Sequence, residues 1–597
     1  MRLMRLRGVQ SPRSGNLRGM SSSLGHRLEV VRTLLGTGIV RVVERPDRAA
    51  RALATLRRWG SSSATAYRIS GIRYPERLAI VDERGTLTFA EVDARTNALA
   101  RALRAAGVGA QDGVALMCRN HRGIIEANVA CAKLGASVLY LNTAFAGPQI
   151  AEVLRREAPV ALIYDGEFTD LVREGSEGMR RFVSWREPRE RRAAGPPGED
   201  GAPVGSQPRG GNATTASQPS ATGSPESNGA GRGDPWVEDL IACTDTAPLQ
   251  PPAEKGRVVI LTSGTTGTPK GARRKQPDSL EPAAALLSKI PLKARETTVI
   301  AAPMFHSWGY LHFTLALPLA STLVLRRRFD PEQTLADIAR HRATALAVVP
   351  VMLQRIMELP GETLERYDTS SLRIIAVSGS VLPGELATRV MDTFGEVLYN
   401  LYGSTEVAWA TIATPQDLRA APGTAGRPPL GTVTKILDAE GRELPQGQRG
   451  RIFAANEMAF EGYSGGGGKE VVRGLMNTGD MGHIDAGGRL FVDGRDDEMI
   501  VSGGENVFPR EVEDLLAKHP QIEEAAVIGV EDEKFGQRLK AFVVAREDAE
   551  LTEDAVKEYV KDNLARYKVP REVVFLETLP RNATGKVLKR ELSTTAD

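Results

Sequence analysis

Between residues 257 and 500 the chain repeats one arrangement, a short apolar run ending in an unusual polar motif, and few folds accommodate it. Arg257-Val258-Val259-Ile260-Leu261 has the β-branched, apolar composition of a buried strand. It runs directly into Thr262-Ser263-Gly264-Thr265-Thr266-Gly267-Thr268-Pro269-Lys270-Gly271. Glycines let backbone N–H groups approach a polyanion, hydroxyls add donors at small steric cost, and Lys270 brings a mobile positive charge. The stretch reads as a phosphate-gripping loop. It is not the G-x-x-x-x-G-K-[ST] pattern, because Pro269 precedes Lys270 and Gly271 follows it. Proline and flanking glycines predict a loop that moves over its ligand.

The same layout returns downstream. Val299-Ile300-Ala301-Ala302 leads into Pro303-Met304-Phe305-His306-Ser307-Trp308-Gly309. Leu372–Val377 leads into Ser378-Gly379-Ser380, and Val397–Leu401 into Tyr402-Gly403-Ser404-Thr405-Glu406. Thr478-Gly479-Asp480 and Gly494-Arg495-Asp496-Asp497-Glu498 follow. Upstream, the apolar runs at 114–117, 137–141 and 162–165 alternate with helical stretches. Such alternation predicts a parallel sheet covered by helices, with ligands outside the carboxyl ends of its strands. Residues 188–235, dense in Gly, Pro, Ser and Arg, are read as a flexible insertion that cannot bury enough surface to offset chain entropy. Past residue 510, helical and strand patterns alternate in a small α+β unit ending in Leu579-Pro580-Arg581-Asn582-Ala583-Thr584-Gly585-Lys586.

Length and composition narrow the class. A chain of 597 residues with 41% apolar and 25% charged residues is globular and has at least two domains. A net charge of +3 gives no nucleic-acid footprint. Cys118, Cys131 and Cys243 offer neither a disulfide framework nor a metal-cluster spacing, which fits a reducing, cytoplasmic location.

The leader stands apart. Residues 1–60 hold 13 arginines against three acidic residues, about +10 in all, with apolar groups such as Val31, Leu34, Leu35, Leu53 and Leu56 at helical spacing. Four readings are open: a basic amphipathic segment resting on an anionic membrane, a solvated leader, an organellar presequence, and an over-long start with Met20 as the first residue.

In this order, the motifs resemble those of the adenylate-forming (ANL) superfamily of acyl-CoA synthetases, aryl-CoA ligases, adenylation domains and luciferases, over roughly residues 65–592. The resemblance implies an α/β fold, with a large N-terminal domain (61–494) of layered α/β sheets plus a small distorted β-barrel, and a small mobile C-terminal α+β lid (495–597). It implies that Thr262, Ser263, Gly264, Thr265, Thr266, Gly267 and Lys270 hold the ATP phosphates, and that Tyr402 stacks on adenine with Gly379, Ser380 and Gly403 nearby. Thr405 matches the α-phosphate contact, Glu406 the Mg²⁺ ligand, and Asp480 with Arg495 the ribose-binding pair. Asp497 matches the interdomain hinge, Lys586 the mobile lysine of adenylation, and His306 a group beside the substrate carboxylate. Gly503, Gly504 and Glu505 match the CoA channel, and Trp308 and Tyr310 the acyl pocket.

The expected reaction is that of an acid–thiol ligase. A carboxylate attacks the α-phosphorus of ATP to give acyl-AMP and pyrophosphate, and the thiol of CoA then displaces AMP. The wording of the motifs favours a medium- or long-chain fatty acid, with lipid metabolism as the setting. An aryl-CoA ligase, an acyl-AMP ligase loading a carrier protein and a catalytically silent binder stay open. Two stretches depart from the family pattern: Ala272-Arg273-Arg274-Lys275 after the phosphate loop, and the short glycine run 465–468.

Overall fold

The computed structural model describes residues 24–39, 45–187, 234–262, 270–274, 279–458, 460–464, 466–498, 500–502, 505–532, 536–547, 549–564, 566–582 and 585–594. Two sheets form the body. The first has eight strands in the spatial order Thr411–Ala413, Leu398–Tyr402, Ile374–Val377, Ala345–Val348, Thr297–Ile300, Thr322–Leu325, Leu78–Asp82, Gly85–Thr88. Its six inner strands are parallel and its two edge strands antiparallel. The second has seven, Phe460–Tyr463, Lys270–Arg274, Val258–Thr262, Ser137–Tyr140, Gly113–Met117, Ala161–Asp165 and Arg180–Trp185. Its last five strands are mutually parallel, and Lys270–Arg274 alone runs antiparallel to both of its neighbours.

The inner strands read as continuous apolar runs because helices cover both faces. One core packs Ile80, Ile300 and Leu323 of the first sheet and Val114, Val138 and Ile163 of the second against helices Phe89–Ala105, Arg122–Leu134 and Ser307–Leu319. The first of these helices starts where the sequence turns from strand to helix. Thr88 Oγ1 accepts the Glu91 N–H at 3.2 Å and Glu91 Oε2 accepts the Thr88 N–H at 2.7 Å, a reciprocal cap.

A third, antiparallel sheet of five strands (Val433–Leu437, Gly450–Ala455, Val471–Val472, Leu475–Ile484, Leu490–Arg495) takes the part assigned to the small barrel. A fourth belongs to the C-terminal unit, where Ile522–Asp532 and Gly536–Ala545 pair in antiparallel and Pro509–Leu516 and Glu553–Asn563 pack on them. The 3₁₀ turn Asp496–Glu498 joins the third sheet to the fourth.

The leader is helical where it is described: Leu24–Gly36 and Pro46–Trp59. Of the 188–235 insertion, residues 188–233 lie outside the described residues. Among the described residues no helix is long and apolar enough to cross a membrane. One strand differs from expectation: Lys270 opens the strand Lys270–Arg274 rather than sitting in the loop. Ala272 packs inward opposite Ile260, and Gly271 is required because a Cβ there would press on Val259.

Asn120 ties the two body sheets together. It follows the strand Gly113–Met117 and is buried. Its Nδ2 donates to Ile300 O at 3.1 Å and Ala302 O at 2.9 Å, and its Oδ1 accepts the Met304 N–H at 2.8 Å. The loop leading to His306 is thus fixed from the neighbouring sheet. Asn120→Ala would leave these groups unpaired in the interior and is expected to cost about 2–4 kcal/mol, from roughly 1–3 kcal/mol per orphaned group. A denaturant titration measures it.

Candidate functional site

Parallel pairing brings distant motifs to one edge. Strands Leu398–Tyr402, Ile374–Val377, Ala345–Val348 and Thr297–Ile300 are successive neighbours, so the segments that leave their carboxyl ends lie side by side. These are Gly403–Glu406, Ser378–Ser380, Val349–Val351 and Ala301–His306. Gly379 has φ +102°, a left-handed conformation that favours glycine. The turn after Tyr402 is tight: a Cβ on Gly403 would overlap the Ala408 carbonyl. Ser404 Oγ accepts the Glu406 N–H at 3.3 Å and the Val407 N–H at 3.2 Å. Asn456 Nδ2 donates to Val407 O and Trp409 O at 2.7 Å each. Thr405 and Glu406 therefore stand on a clamped turn, and Tyr463 Oη donates to Glu406 Oε1 at 2.6 Å. Burial, then this bond, push the Tyr463 phenol pKa upward. The Lys270 ammonium lies 5.6 Å from the centre of the same tyrosine ring.

Asp480 is the electrostatic centre. Tyr402 Oη donates to Asp480 Oδ2 at 2.5 Å and lies 3.1 Å from Thr478 Oγ1. Arg495 Nη1 stands 3.5 Å from Asp480 Oδ1, across the paired strands Leu475–Ile484 and Leu490–Arg495. Burial raises the Asp480 pKa, against the pull of Tyr402, Arg495, Lys586 and Lys469. Gly479, at φ +86°, makes room for two of these cations. A Cβ there would sit 3.3 Å from Lys469 Nζ and 3.4 Å from Arg495 Nη2. Three cations thus act on one carboxylate, Arg495 from 3.5 Å, a surplus of positive charge that suits a polyanion.

Lys469 escaped the sequence reading because it ends a glycine run that departs from the family pattern. It is held in place by its neighbour. Glu470 O accepts the Asn477 N–H at 2.9 Å, and Glu470 Oε2 accepts Asn477 Nδ2 at 2.8 Å and Arg451 Nη1 at 2.9 Å. A lone lysine beside glycines carries no signal of this kind. Tyr463 was also missed; the Gly-Tyr pair at 462–463 was its only mark.

Lys586 arrives from the C-terminal unit on a short turn. Asn582 N–H donates to Lys586 O at 2.9 Å, and Lys586 N–H to Asn582 Oδ1 at 2.9 Å. Gly585, at φ +78°, is buried against Val351, where a Cβ would overlap it. Val351 belongs to the helix that starts at the shared strand edge, so this turn is docked there.

His306 precedes the helix Ser307–Leu319 and packs on Phe305, ring centres 4.7 Å apart. Burial lowers its pKa to about 4, so the imidazole is neutral at pH 7. Its Nε2 is sealed from solvent without a hydrogen-bond partner. Trp308 donates Nε1–H to Val348 O at 2.8 Å, whereas Tyr310 turns to Tyr140, 5.4 Å between ring centres. These two aromatics serve two different parts of the core. His312, unnoticed within its apolar run, meets the Trp308 ring edge-on at 4.5 Å. It is buried with neither ring nitrogen hydrogen-bonded, and burial lowers its pKa to about 3.

Ser263, Gly264, Thr265, Thr266 and Gly267 lie outside the described residues, as do Gly503 and Gly504. Thr262 ends a strand at the second sheet's carboxyl edge, Asp497 sits in the 3₁₀ turn between the third and fourth sheets, and Glu505 opens the strand Glu505–Val507.

The chain is similar to known proteins over most of its length. The family model "AMP-binding enzyme" matches residues 69–464, and "AMP-binding enzyme C-terminal domain" matches residues 511–586. The indoleacetate–CoA ligase of Aromatoleum aromaticum is 32% identical over 536 residues, covering 88% of this chain and 94% of that protein. The feruloyl-CoA synthase of an Amycolatopsis species is 30% identical, covering 87% and 96%. The solved o-succinylbenzoate-CoA synthetase of Bacillus subtilis, in complex with its acyl-adenylate intermediate, superposes with a TM-score of 0.71 at 25% identity, covering 88% of this chain and 97% of that one. The chain belongs to the AMP-binding enzyme family, within the adenylate-forming superfamily.

Proposed function

We propose that the protein is an ATP-dependent acid–CoA ligase. The observation that carries this reading is the half-buried Asp480, bonded by Tyr402 and faced by Arg495 at 3.5 Å, with Lys469 and, from the C-terminal unit, Lys586 also drawing on its charge. In this reading Asp480 accepts the ribose hydroxyls, Tyr402 and the Gly379–Ser380 turn bound the adenine, and Thr405 donates to the α-phosphate. Lys270 and the loop before it hold the outer phosphates. Lys586 bridges the substrate carboxylate and the α-phosphate. Neutral His306 offers the carboxylate a hydrogen bond without adding charge. The fit of Mg²⁺ rests on Glu406, a hard oxygen donor held on a clamped turn and bonded to a hydroxyl that can release it. Bound there, the ion would neutralise phosphate charge.

Little covalent protein chemistry is needed, since positioning and charge stabilisation carry transfer at phosphorus. The carboxylate oxygen bonds to the α-phosphorus as the bond to pyrophosphate breaks. The C-terminal unit then turns about Asp497 and presents the segment 500–507 to the acyl-AMP. The thiol of CoA attacks the acyl carbon and AMP leaves.

For the acid, an aromatic or heteroatom-bearing carboxylate is favoured over a plain alkyl chain. The relatives named above act on indoleacetate and ferulate by their names. His312, beside Trp308, leaves two buried nitrogens that a polar substituent can satisfy. A fatty-acid ligase is the second reading, supported by the apolar helix Ser307–Leu319.

The test is AMP release with ATP, Mg²⁺ and CoA across alkanoates, arylacetates and cinnamates. Turnover is expected to be highest on aromatic acids, and His312→Leu to shift preference toward acids without polar substituents. Preference for alkanoates would move the assignment to the fatty-acid reading, and no turnover on any acid would overturn the ligase. Lys586→Ala is expected to slow adenylation by ~10²–10³-fold while sparing thioester formation from supplied acyl-AMP. Half-reactions assayed separately decide this. Lys469→Ala should raise KM for ATP about tenfold, the loss of one charge-assisted contact, with KM for the acid unchanged.

A further inference from the structure

The leader helix Leu24–Gly36 is attached to the body by the face that a sequence reading would not choose. Val30 is 8% exposed, and Leu34 packs on the core beneath the first sheet. Lys293 Nζ donates to Gly36 O at 2.6 Å, and the Ala294 N–H to Thr37 O at 2.8 Å, fixing the helix end. The outward face is apolar. Leu24, Leu28, Val31 and Leu35, spaced 4, 3 and 4 residues apart, form one ridge and are 74%, 61%, 52% and 55% exposed. Arg27 borders the ridge on one side and exposed Arg32 on the other. The next helix, Pro46–Trp59, adds exposed Leu53 and Leu56 with Arg51, Arg57 and Arg58. Upstream, residues 1–23 contain five arginines and no acidic residue.

We infer that this ridge seats the protein on an anionic lipid bilayer. Four large apolar side chains facing water on a helix whose opposite face is already packed call for a covering. Arginine on both borders selects what covers them. Pairing with a second copy would set Arg27 and Arg32 against arginines, since the helix's one acid, Glu29, is engaged at 3.9 Å with Arg32 of its own chain. An anionic headgroup layer instead neutralises both borders while the leucines enter the acyl boundary. The body helices hold the ridge rigid, so seating requires no folding of the segment.

Flotation of the full-length protein with vesicles of phosphatidylcholine, with and without phosphatidylserine, tests this. Flotation is expected with the anionic vesicles only, weakening as salt rises. Leu28→Asp/Leu35→Asp should lower vesicle affinity about tenfold or more, with AMP release on a soluble acid unchanged as the check on folding. Failure of the wild type to float overturns the inference. So does equal flotation of the double variant, which would place binding in the arginines alone. Light scattering that shows a dimer dissolved by the same variant would assign the ridge to a second copy instead.

Discussion

A half-buried carboxylate needs compensation, and most of the site follows from how Asp480 obtains it. Tyr402 comes from the first sheet, Arg495 from the third, and Lys586 from the C-terminal unit, so one charge draws three separate parts of the chain to a point. The compensation exceeds the need, because Lys469 joins the other two cations. Burial pushes the Asp480 proton affinity up while these neighbours pull it down. A ligand that accepts the excess charge and donates hydroxyls to the carboxylate improves every contact in the cluster.

The scaffold makes this possible by aligning strand ends. Parallel register across Leu398–Tyr402, Ile374–Val377, Ala345–Val348 and Thr297–Ile300 delivers four unrelated loops to the same edge. Asn120 then locks the last of them from the second sheet. The loops need no regular structure of their own, since the sheets below determine where each begins.

Much of this could be read from residue patterns, for a physical reason. Apolar runs of four or five residues ending in Gly, Ser or Thr carry both strand identity and direction, so the layered fold was legible; Tyr402, Asp480 and Arg495 were singled out only by their resemblance to family motifs. The residues that escaped work through distant partners. Asn120, Tyr463 and Lys469 are ordinary polar residues in sequence, and their importance comes from contacts to positions 57 to 184 residues away or from a neighbour's anchoring. The leader shows a different failure. Its periodicity marked a helix, but which side meets the body depends on the surface it lands on.

Lys270 and Glu406 belong to different sheets, yet Tyr463 touches both, with its ring under the ammonium and its hydroxyl on the carboxylate. The strand that carries Tyr463 is hydrogen-bonded along Lys270–Arg274. The strand that opens at Lys270 and the clamped turn that holds Glu406 are therefore linked through one aromatic side chain. It spans the space between a cation at the start of one strand and a carboxylate on a turn that leaves another sheet, so neither can be repositioned without disturbing the same ring.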